Sequence, residues 1–254
     1  MPVRSLVWIS GATGGLGLGL ARTVPYADAR IINISRRQHP DYETVVADIS
    51  GPAGWDAARA SFRKELADFT GERAIFVHNA YYTESVGLLG TVDSAIYQTA
   101  VLANAAAPLI LGEAFLTASQ GLSCEVGLAL MSSSAATRVI DGLANYAAAK
   151  IGVEMWCSNI RAEFAMRGDP RWVAAVRPGG VDTPGSRRNA ALPKEQWPFV
   201  EVRAPMQKDF LPPEQAARKI WAALPPAPGV TVIDIGTPPD ADPAAIFGKV
   251  ASGF

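Results

Sequence analysis

The chain has 254 residues, of which 49% are hydrophobic and 19% charged, and its formal net charge is −1. This length suits one large domain or two small ones with a substantial core, and the composition excludes a wholly disordered chain. A net charge near zero argues against a general nucleic-acid binder.

The N-terminal segment, the cysteines and the histidines predict where the protein is found and whether it binds a metal. The N-terminal apolar run 6–10 leads straight into glycines and is too short for a signal peptide or a membrane span, and we see no longer apolar stretch that predicts a span elsewhere. Cys124 and Cys157 have no metal-binding or CxxC spacing, and two histidines cannot form a histidine-rich metal site. We expect a soluble, cytoplasmic protein with reduced thiols, without a metal, a membrane partner or a nucleic-acid partner.

Short apolar runs alternate with longer amphipathic stretches. The apolar runs predict strands at 6–10, 30–35, 44–47, 74–77, 125–131, 172–177 and 231–235. Helical spacing predicts helices at 16–23, 55–69, 96–116, 146–167 and 214–224. Apolar strands separated by helices are typical of a parallel sheet covered on both faces. The sequence therefore predicts a single doubly wound α/β domain, a Rossmann fold, over residues 1–254.

A glycine-rich loop follows the first predicted strand. Residues 10–17 read SGATGGLG, and a predicted helix begins at once. Glycines let the backbone turn tightly and approach a pyrophosphate, which the free N–H groups and the positive dipole end of the helix can bind. The loop lies where a dinucleotide-binding fingerprint requires it. An ordinary tight turn is the alternative interpretation.

The end of the second predicted strand indicates which dinucleotide is bound. NAD-binding folds place an acid there for the ribose 2′-hydroxyl, whereas this chain continues with Ser35, Arg36 and Arg37. Guanidinium groups can bind a 2′-phosphate in bidentate fashion. We predict NADP(H) as the cofactor, with a solvated pair of loop arginines as the alternative.

Three further residues suggest proton chemistry. Tyr146 and Lys150 stand four residues apart on a predicted helix and so share a face. A nearby ammonium favours the ionised form of a phenol, and such a tyrosine can act as general acid–base on a carbonyl or alcohol. Ser133, at the carboxyl end of a predicted strand, lies where doubly wound sheets bind ligands. Without Ser133, the Tyr-x-x-x-Lys pair would indicate no more than a surface contact.

In these motifs the chain resembles the short-chain dehydrogenase/reductase family, in its short form, from the glycine loop to the last predicted strand. The resemblance implies that Ser133, Tyr146 and Lys150 are catalytic, and that Asn104 supports a water-linked proton path. It also implies cofactor contacts from the glycine motif, from an acid after the third strand, from an Asn-Ala pair after the fourth, and from a Pro-Gly-x-Val-x-Thr motif. Together with the arginines, the implied cofactor-binding residues are Ser10, Gly11, Gly15, Leu16, Gly17, Arg36, Arg37, Asp48, Ile49, Asn79, Ala80, Tyr146, Lys150, Val181 and Thr183.

Two residues depart from the family pattern. Tyr81 replaces a glycine beside the cofactor, and His78 replaces an asparagine, which we expect to be a buried, hydrogen-bonded substitution. Gly11, Gly14 and Gly17 also fit the Gly-x-x-Gly-x-x-Gly spacing of the family's longer, epimerase-like members. The short chain and the spacing between the catalytic serine and tyrosine favour the reductases.

The resemblance implies hydride transfer between NADP(H) and a carbonyl or alcohol carbon, with Tyr146 as general acid. We expect a ketone or aldehyde reductase; a non-catalytic NADP-binding sensor or scaffold of the same fold is the alternative. In this family the helices matching 96–116 and 146–167 pack against a second subunit, which implies a homodimer or homotetramer.

The substrate side is the least determined part of the sequence. Fourteen of the nineteen prolines stand at or after residue 170 and predict a loop-rich last third. Residues 184–212 show no strand pattern, and the family places a mobile lid there. The stretch 171–203 has six basic and three acidic residues, which suits either an anionic substrate or a solvated loop. Either an apolar pocket or an anchor for the lid would explain Trp197, Phe199 and Met206. An aromatic wall from Tyr81 and Tyr82 would suit a bulky or aromatic ketone.

Overall fold

A computed structural model describes residues 3–236, and the remaining residues of the predicted 1–254 domain lie outside this described part. Every predicted strand is present, with each end within one residue of its predicted position. The strands are β1 (Ser5–Ser10), β2 (Ala29–Ser35), β3 (Glu43–Val46), β4 (Arg73–His78), β5 (Glu125–Met131), β6 (Trp172–Arg177) and β7 (Val232–Asp234). They form one parallel sheet in the order β3-β2-β1-β4-β5-β6-β7, which confirms the doubly wound Rossmann-like fold in a single domain.

The predicted helices are also present, although their bounds shift by up to a turn. The helices are α1 (Gly15–Arg22), α2 (Pro52–Leu66), α3 (Ser94–Val101), α4 (Ala107–Ala118), α5 (Ala144–Arg167), α6 (Pro184–Asn189), α7 (Val200–Met206) and α8 (Pro213–Ala222). Helix α2 begins at Pro52, three residues before its predicted start. Proline suits the first turn of a helix because its φ is already helical, and because the N–H that it lacks would have no partner within the helix.

The predicted helix 96–116 contains an irregular turn. A π-helical turn, Leu102–Ala106, separates α3 from α4, and the Ala107 N–H donates to the Leu102 carbonyl. The combined helix Ser94–Ala118 is long and apolar enough for a membrane span by length and composition, contrary to our expectation. More than half of its most apolar window is buried inside the fold, as in the core helix of a soluble protein.

The expectation of a loop-rich last third was wrong for residues 184–212, hereafter the substrate-side segment. This segment contains α6, α7 and a 3₁₀ turn, Gln207–Asp209. The prolines gave a wrong prediction of loop because proline is tolerated in the first turn of a helix. Pro184 occupies that position in α6, and Pro213, beyond the segment, occupies it in α8. A capping box at Thr183 further defines the start of α6.

The core has two layers, one on each face of the sheet. Alternate residues of β1 point to opposite faces, so Trp8 packs with Phe62 and Phe115, while Ile9 packs in the layer that contains Trp221. Helices α2, α4 and α5 cover the first face, and α1 and α8 cover the second. Both cysteines are free thiols; one is fully buried and the other partly buried.

The strand order fixes where a ligand can bind. The chain runs outward from β1 to β3 on one side and from β4 to β7 on the other, so β1 and β4 flank the switch point. Doubly wound sheets bind ligands in the crevice beyond the carboxyl ends of the strands at such a point. At this edge lie the glycine loop after β1, His78 at the end of β4, the serines after β5 and Pro178 after β6.

Candidate active site

A single cavity of about 740 Å³ runs along the carboxyl edge of the sheet. It extends from the glycine loop and the end of β2 to the substrate-side segment. In the described part of the chain, three predicted site residues do not line this cavity: Ser10, Gly17 and Asn104. The predicted site residues in the lining are Gly11, Gly15, Leu16, Arg36, Arg37, Asp48, Ile49, Asn79, Ala80, Ser133, Tyr146, Lys150, Val181 and Thr183.

The glycine loop shows which of its glycines are required. Gly11 and Gly15 have φ of +76° and +50°, in the left-handed region that favours glycine. At Gly17 a Cβ would lie 2.2 Å from the Gly11 carbonyl oxygen and 2.7 Å from Asn79 Nδ2. Gly14 has an extended backbone, and a Cβ there would meet open space. The loop therefore follows the Gly-x-x-x-Gly-x-Gly spacing and gives no support to the epimerase-like one.

Two buried polar side chains hold the loops around the switch point. Ser10 Oγ accepts hydrogen bonds from the Asn79 and Ala80 N–H groups, both at 2.9 Å. Asn33 Oδ1 accepts from the Ala12 N–H at 3.0 Å. Ser10 thus supports the cavity wall instead of facing the cavity as predicted. The sequence analysis missed Asn33, whose signal was a lone amide within the apolar strand β2.

Arg36 and Arg37 are exposed at one end of the cavity, which we call the cofactor end. The described residues offer neither guanidinium group an ion pair or a side-chain hydrogen bond. The Ser35 hydroxyl donates to the Arg37 carbonyl and accepts from Asn33 Nδ2. The Asp48 carboxylate accepts from the Ser50 hydroxyl and N–H, and these bonds lower its pKa, with a smaller contribution from Arg36. Both guanidinium groups are therefore available to an anion.

Ser133, Tyr146 and Lys150 meet near the middle of the cavity. Ser133 lies just beyond β5, and both Ser133 and Tyr146 line the cavity. Tyr146 and Lys150 lie one turn apart on α5, and Lys150 Nζ is 5.5 Å from the Tyr146 ring centroid. The buried ammonium donates to the Met131 carbonyl at 2.7 Å. The structure thus brings together the three side chains predicted to be catalytic.

The electrostatics of this group differ from our expectation. Burial raises the pKa of Tyr146, and the groups that oppose this shift are the Ser133 hydroxyl and the Arg203 guanidinium, not Lys150. Burial lowers the pKa of Lys150 to about 8. Tyr146 is consequently protonated at neutral pH, which is the state that a general acid requires.

His78 ends β4 and Tyr81 lies in the loop that follows, in different surroundings. The Tyr81 ring lies 5.1 Å from the Tyr146 ring and forms an aromatic wall of the cavity. His78 is buried, as expected, and its Nδ1 lies 3.2 Å from Ser10 Oγ. The expectation that this imidazole is fully hydrogen-bonded was wrong, because its Nε2 has no partner among the described residues. Burial lowers the pKa of His78 to about 3, so the ring is neutral.

Asn104 is buried in the π-helical turn, and its side chain bonds the backbone of the loop after β4. Its Oδ1 accepts from the Tyr82 N–H at 2.8 Å, and its Nδ2 donates to the Tyr82 carbonyl at 3.0 Å. These two bonds hold the loop that carries Tyr81. The side chain of Asn104 therefore positions the aromatic wall and does not face the cavity.

A buried ion pair beneath the site was also missed. Glu154 accepts from Arg177 through both carboxylate oxygens at 2.7 Å, and from the Ser132 hydroxyl at 2.6 Å. Glu154 lies one turn beyond Lys150 on α5, so the recurrence of polar residues at Tyr146, Lys150 and Glu154 was its signal in the sequence. The pair ties α5 to the ends of β5 and β6.

The substrate-side segment encloses the other end of the cavity, which we call the substrate end. Trp197 and Phe199 are buried in a separate apolar cluster against which Tyr146 packs. Trp197 Nε1 donates to the Asp141 carbonyl at 2.8 Å. Trp197, Phe199 and Met206 all line the cavity. The first two therefore both anchor the segment and form an apolar wall.

Comparisons with known proteins agree with this geometry. A family model described as short chain dehydrogenase matches residues 5–192. The chain is 22% identical over 227 residues to benzil reductase ((S)-benzoin forming) from Bacillus cereus, covering 84% of this chain and 91% of that protein. It is 26% identical over 207 residues to the 3-oxoacyl-[acyl-carrier-protein] reductase FabG of Salmonella typhimurium, covering 78% of this chain and 80% of that protein.

Solved structures share the fold. A short chain dehydrogenase from Burkholderia cenocepacia, solved in complex with NADP, superposes with a TM-score of 0.70 at 21% identity. The match covers 93% of this chain and 90% of that one. At this level of identity the likeness shows a shared architecture, in which the sheet and its flanking helices correspond.

Proposed function

Because the chain belongs to the short-chain dehydrogenase/reductase family of oxidoreductases, we propose that it is an NADP(H)-dependent reductase of ketones or aldehydes. The observation that carries this proposal is the convergence of Ser133, Tyr146 and Lys150, with Tyr146 protonated at neutral pH. A sensor or scaffold would not need an acid, a hydrogen-bond donor and an ammonium assembled in one cavity.

The residues present fit a nicotinamide dinucleotide. Positive φ at Gly11 and Gly15, and the absence of a Cβ at Gly17, leave a backbone cradle at the start of α1, where a pyrophosphate can approach. Asp48 and Ile49 would border the adenine, and Val181 and Thr183 the nicotinamide carboxamide. When bound, the reduced nicotinamide supplies a hydride, the electron pair and hydrogen that the carbonyl carbon must gain.

The chain's own residues then handle the oxygen and the proton. Ser133 would donate a hydrogen bond to the carbonyl oxygen, and Tyr146 would transfer its proton to the same oxygen. Lys150 would hold the ribose, and the Ser133 hydroxyl would stabilise the phenolate until a proton returns from solvent. The net change is one carbonyl, one reduced cofactor and one proton converted to one alcohol and one oxidised cofactor. Fixed orientation of the two reactants contributes much of the rate.

NADP(H) is the preferred cofactor in this proposal because Arg36 and Arg37 are unpaired within the described chain and lie beside the cavity. The fold-level relative from Burkholderia cenocepacia binds NADP. We expect Arg36→Ala to raise the KM for NADPH by about 10- to 100-fold, as for loss of a charge-assisted bond, and to change the KM for NADH little. Equal effects on both cofactors would contradict the preference.

The substrate in this proposal is a bulky or aromatic carbonyl compound. Tyr81, Trp197 and Phe199 give the substrate end an aromatic wall, and the relative from Bacillus cereus acts on benzil. We further propose that the substrate-side segment opens as a lid to admit it.

Turnover tests the function directly. The purified protein is mixed with NADPH and a panel of aromatic and α-dicarbonyl ketones, and oxidation of NADPH is followed by absorbance. Tyr146→Phe should lower kcat by about 100- to 10,000-fold, the contribution of a general acid, while NADPH binding is retained. Tyr81→Phe is the matched control, since it removes the neighbouring phenol and keeps the ring. Undiminished activity in Tyr146→Phe would refute the mechanism, and no turnover by the wild type on the whole panel, with tight NADPH binding, would favour a sensor.

We also propose that the chain assembles with copies of itself. Val101, Ile151 and Met155 expose large apolar surfaces on α3 and α5, and such surfaces commonly mark protein interfaces. A dimer or tetramer in solution scattering would support this assembly. The cytoplasmic location stays a prediction.

A further inference from the structure

Arg203 extends from α7 into the substrate end of the cavity. It is half-buried and lines the cavity wall. Its guanidinium carbon lies 4.0 Å from the Phe210 ring centroid, and its Nη1 donates to Gln207 Oε1 at 3.4 Å. Phe210 is itself held against Gly180, where a Cβ would lie 2.5 Å from the ring. Arg203 is therefore braced on one side, and it has no carboxylate partner among residues 3–236.

The carboxylates that line the same cavity have other partners. Glu84 lies 3.4 Å from Arg188, Asp234 lies 3.5 Å from Arg177, and Asp48 bonds Ser50 at the cofactor end. A guanidinium group removed from water without a counter-ion is costly. Burial accordingly lowers the pKa of Arg203. A ligand that brings a negative charge would remove this cost.

Arg203 lines the same cavity as Tyr146, and its neighbour Ala204 packs against the same apolar cluster as Tyr146. The charge of Arg203 interacts with the phenol groups of both Tyr146 and Tyr81. The phosphates of a dinucleotide would lie at the other end, on the glycine loop and Arg36. An anion at Arg203 is therefore best assigned to the substrate, whose carbonyl would lie at Tyr146 in the same cavity.

We infer that Arg203 binds a carboxylate of the substrate, and that the substrate is an aromatic oxo acid whose carboxylate lies next to, or close to, the reduced carbonyl. This inference rests on the proposed function and specifies its substrate class. Planar guanidinium and carboxylate groups pair in bidentate fashion. The stacking of Arg203 on Phe210 leaves one edge of the guanidinium for such a pair, while the aromatic wall accepts the ring of the substrate.

The test compares benzoylformate, an aromatic 2-oxo acid, with its neutral methyl ester, in the wild type and in Arg203→Gln. We expect Arg203→Gln to lower the ratio of kcat/KM for the acid over the ester by about 10- to 100-fold, mainly through KM, as for loss of a charge-assisted bond. Arg203→Lys should restore part of the ratio. Lys194→Gln is the matched control, because it removes a positive charge of the same segment outside the cavity lining.

The outcomes separate this inference from the proposed function. An unchanged ratio in Arg203→Gln would overturn the inference and leave the reductase standing. Equal loss on acid and ester, with a shifted pH profile, would overturn it too and would show that Arg203 acts on Tyr146. If the wild type reduces neither compound, calorimetry with benzoate and NADP⁺ decides. Benzoate binding by the wild type that is lost in Arg203→Gln supports the carboxylate site. Equal binding by both proteins, or no binding by the wild type, refutes it.

Discussion

The two ends of the cavity are constructed in different ways. At the cofactor end, the contacts come from backbone at strand ends, where glycines permit close approach and buried amides such as Asn33 hold the loops. At the substrate end, the contacts come from side chains of short helices, above all Trp197 and Arg203. A backbone cradle recognises features common to all dinucleotides, whereas a side-chain wall can change with each substrate. In the proposed reductase, the fold would keep cofactor binding constant and leave specificity to the substrate-side segment.

If the two ends act independently, removing the residue that anchors the substrate end should leave cofactor binding unchanged. Trp197 is 2% exposed, and replacing a buried tryptophan by alanine costs about 3–5 kcal/mol. We expect Trp197→Ala to lower the unfolding free energy, measured by urea denaturation, and to raise the KM for the ketone while the NADPH dissociation constant stays the same. Trp197→Phe should retain most of both properties. A comparable loss of NADPH affinity in Trp197→Ala would show that the two ends are coupled.

The second prediction concerns a substitution in the glycine loop, which should weaken cofactor binding. Gly17→Ala places a methyl group against the Gly11 carbonyl, and overpacking of this kind costs about 1–3 kcal/mol. We expect the NADPH dissociation constant, measured by fluorescence titration, to rise by about 10- to 100-fold. Gly14→Ala is the control, because a Cβ there meets open space. If Gly14→Ala were the more damaging variant, the epimerase-like spacing would be the better description of the loop.

A third prediction concerns His78, which hydrogen-bonds Ser10 at the cofactor end. Its pKa is about 3 in the folded chain and about 6.5 in the unfolded chain. The unfolded chain therefore binds a proton between these pH values and the folded chain does not. Acidification below about pH 6.5 should lower the unfolding free energy by about 1.4 kcal/mol per pH unit from this group alone.

Urea denaturation of the wild type and His78→Asn at pH 6.5, 5.5 and 4.5 isolates this contribution. The carboxylates titrate in both proteins, so they contribute equally to the slope of unfolding free energy against pH. The difference between the two slopes therefore measures the contribution of the imidazole. We expect a shallower loss of stability on acidification in His78→Asn. Identical slopes would mean that the folded protein protonates His78 and that the imidazole is less isolated than its surroundings indicate.

Much of the fold was predictable because its signals are local. Every strand and the five principal helices follow from apolar periodicity, which depends only on neighbours in the sequence. The failures were also local in origin. The π-helical turn Leu102–Ala106 has no distinctive composition, and the prolines of residues 184–212 are compatible with helix starts as well as with loops.

What the sequence by itself determined is therefore the architecture, the glycine cradle and the identity of Ser133, Tyr146 and Lys150 as partners, since fixed spacings place them at strand ends or on one helix face. Only the tertiary structure decided that Tyr146 is held protonated by burial, and that Arg203 lines the same cavity with no carboxylate partner in the described part of the chain. The physical reason is that burial and charge pairing depend on residues far apart in the chain. No spacing motif records which side chains will surround a group once the segments have packed.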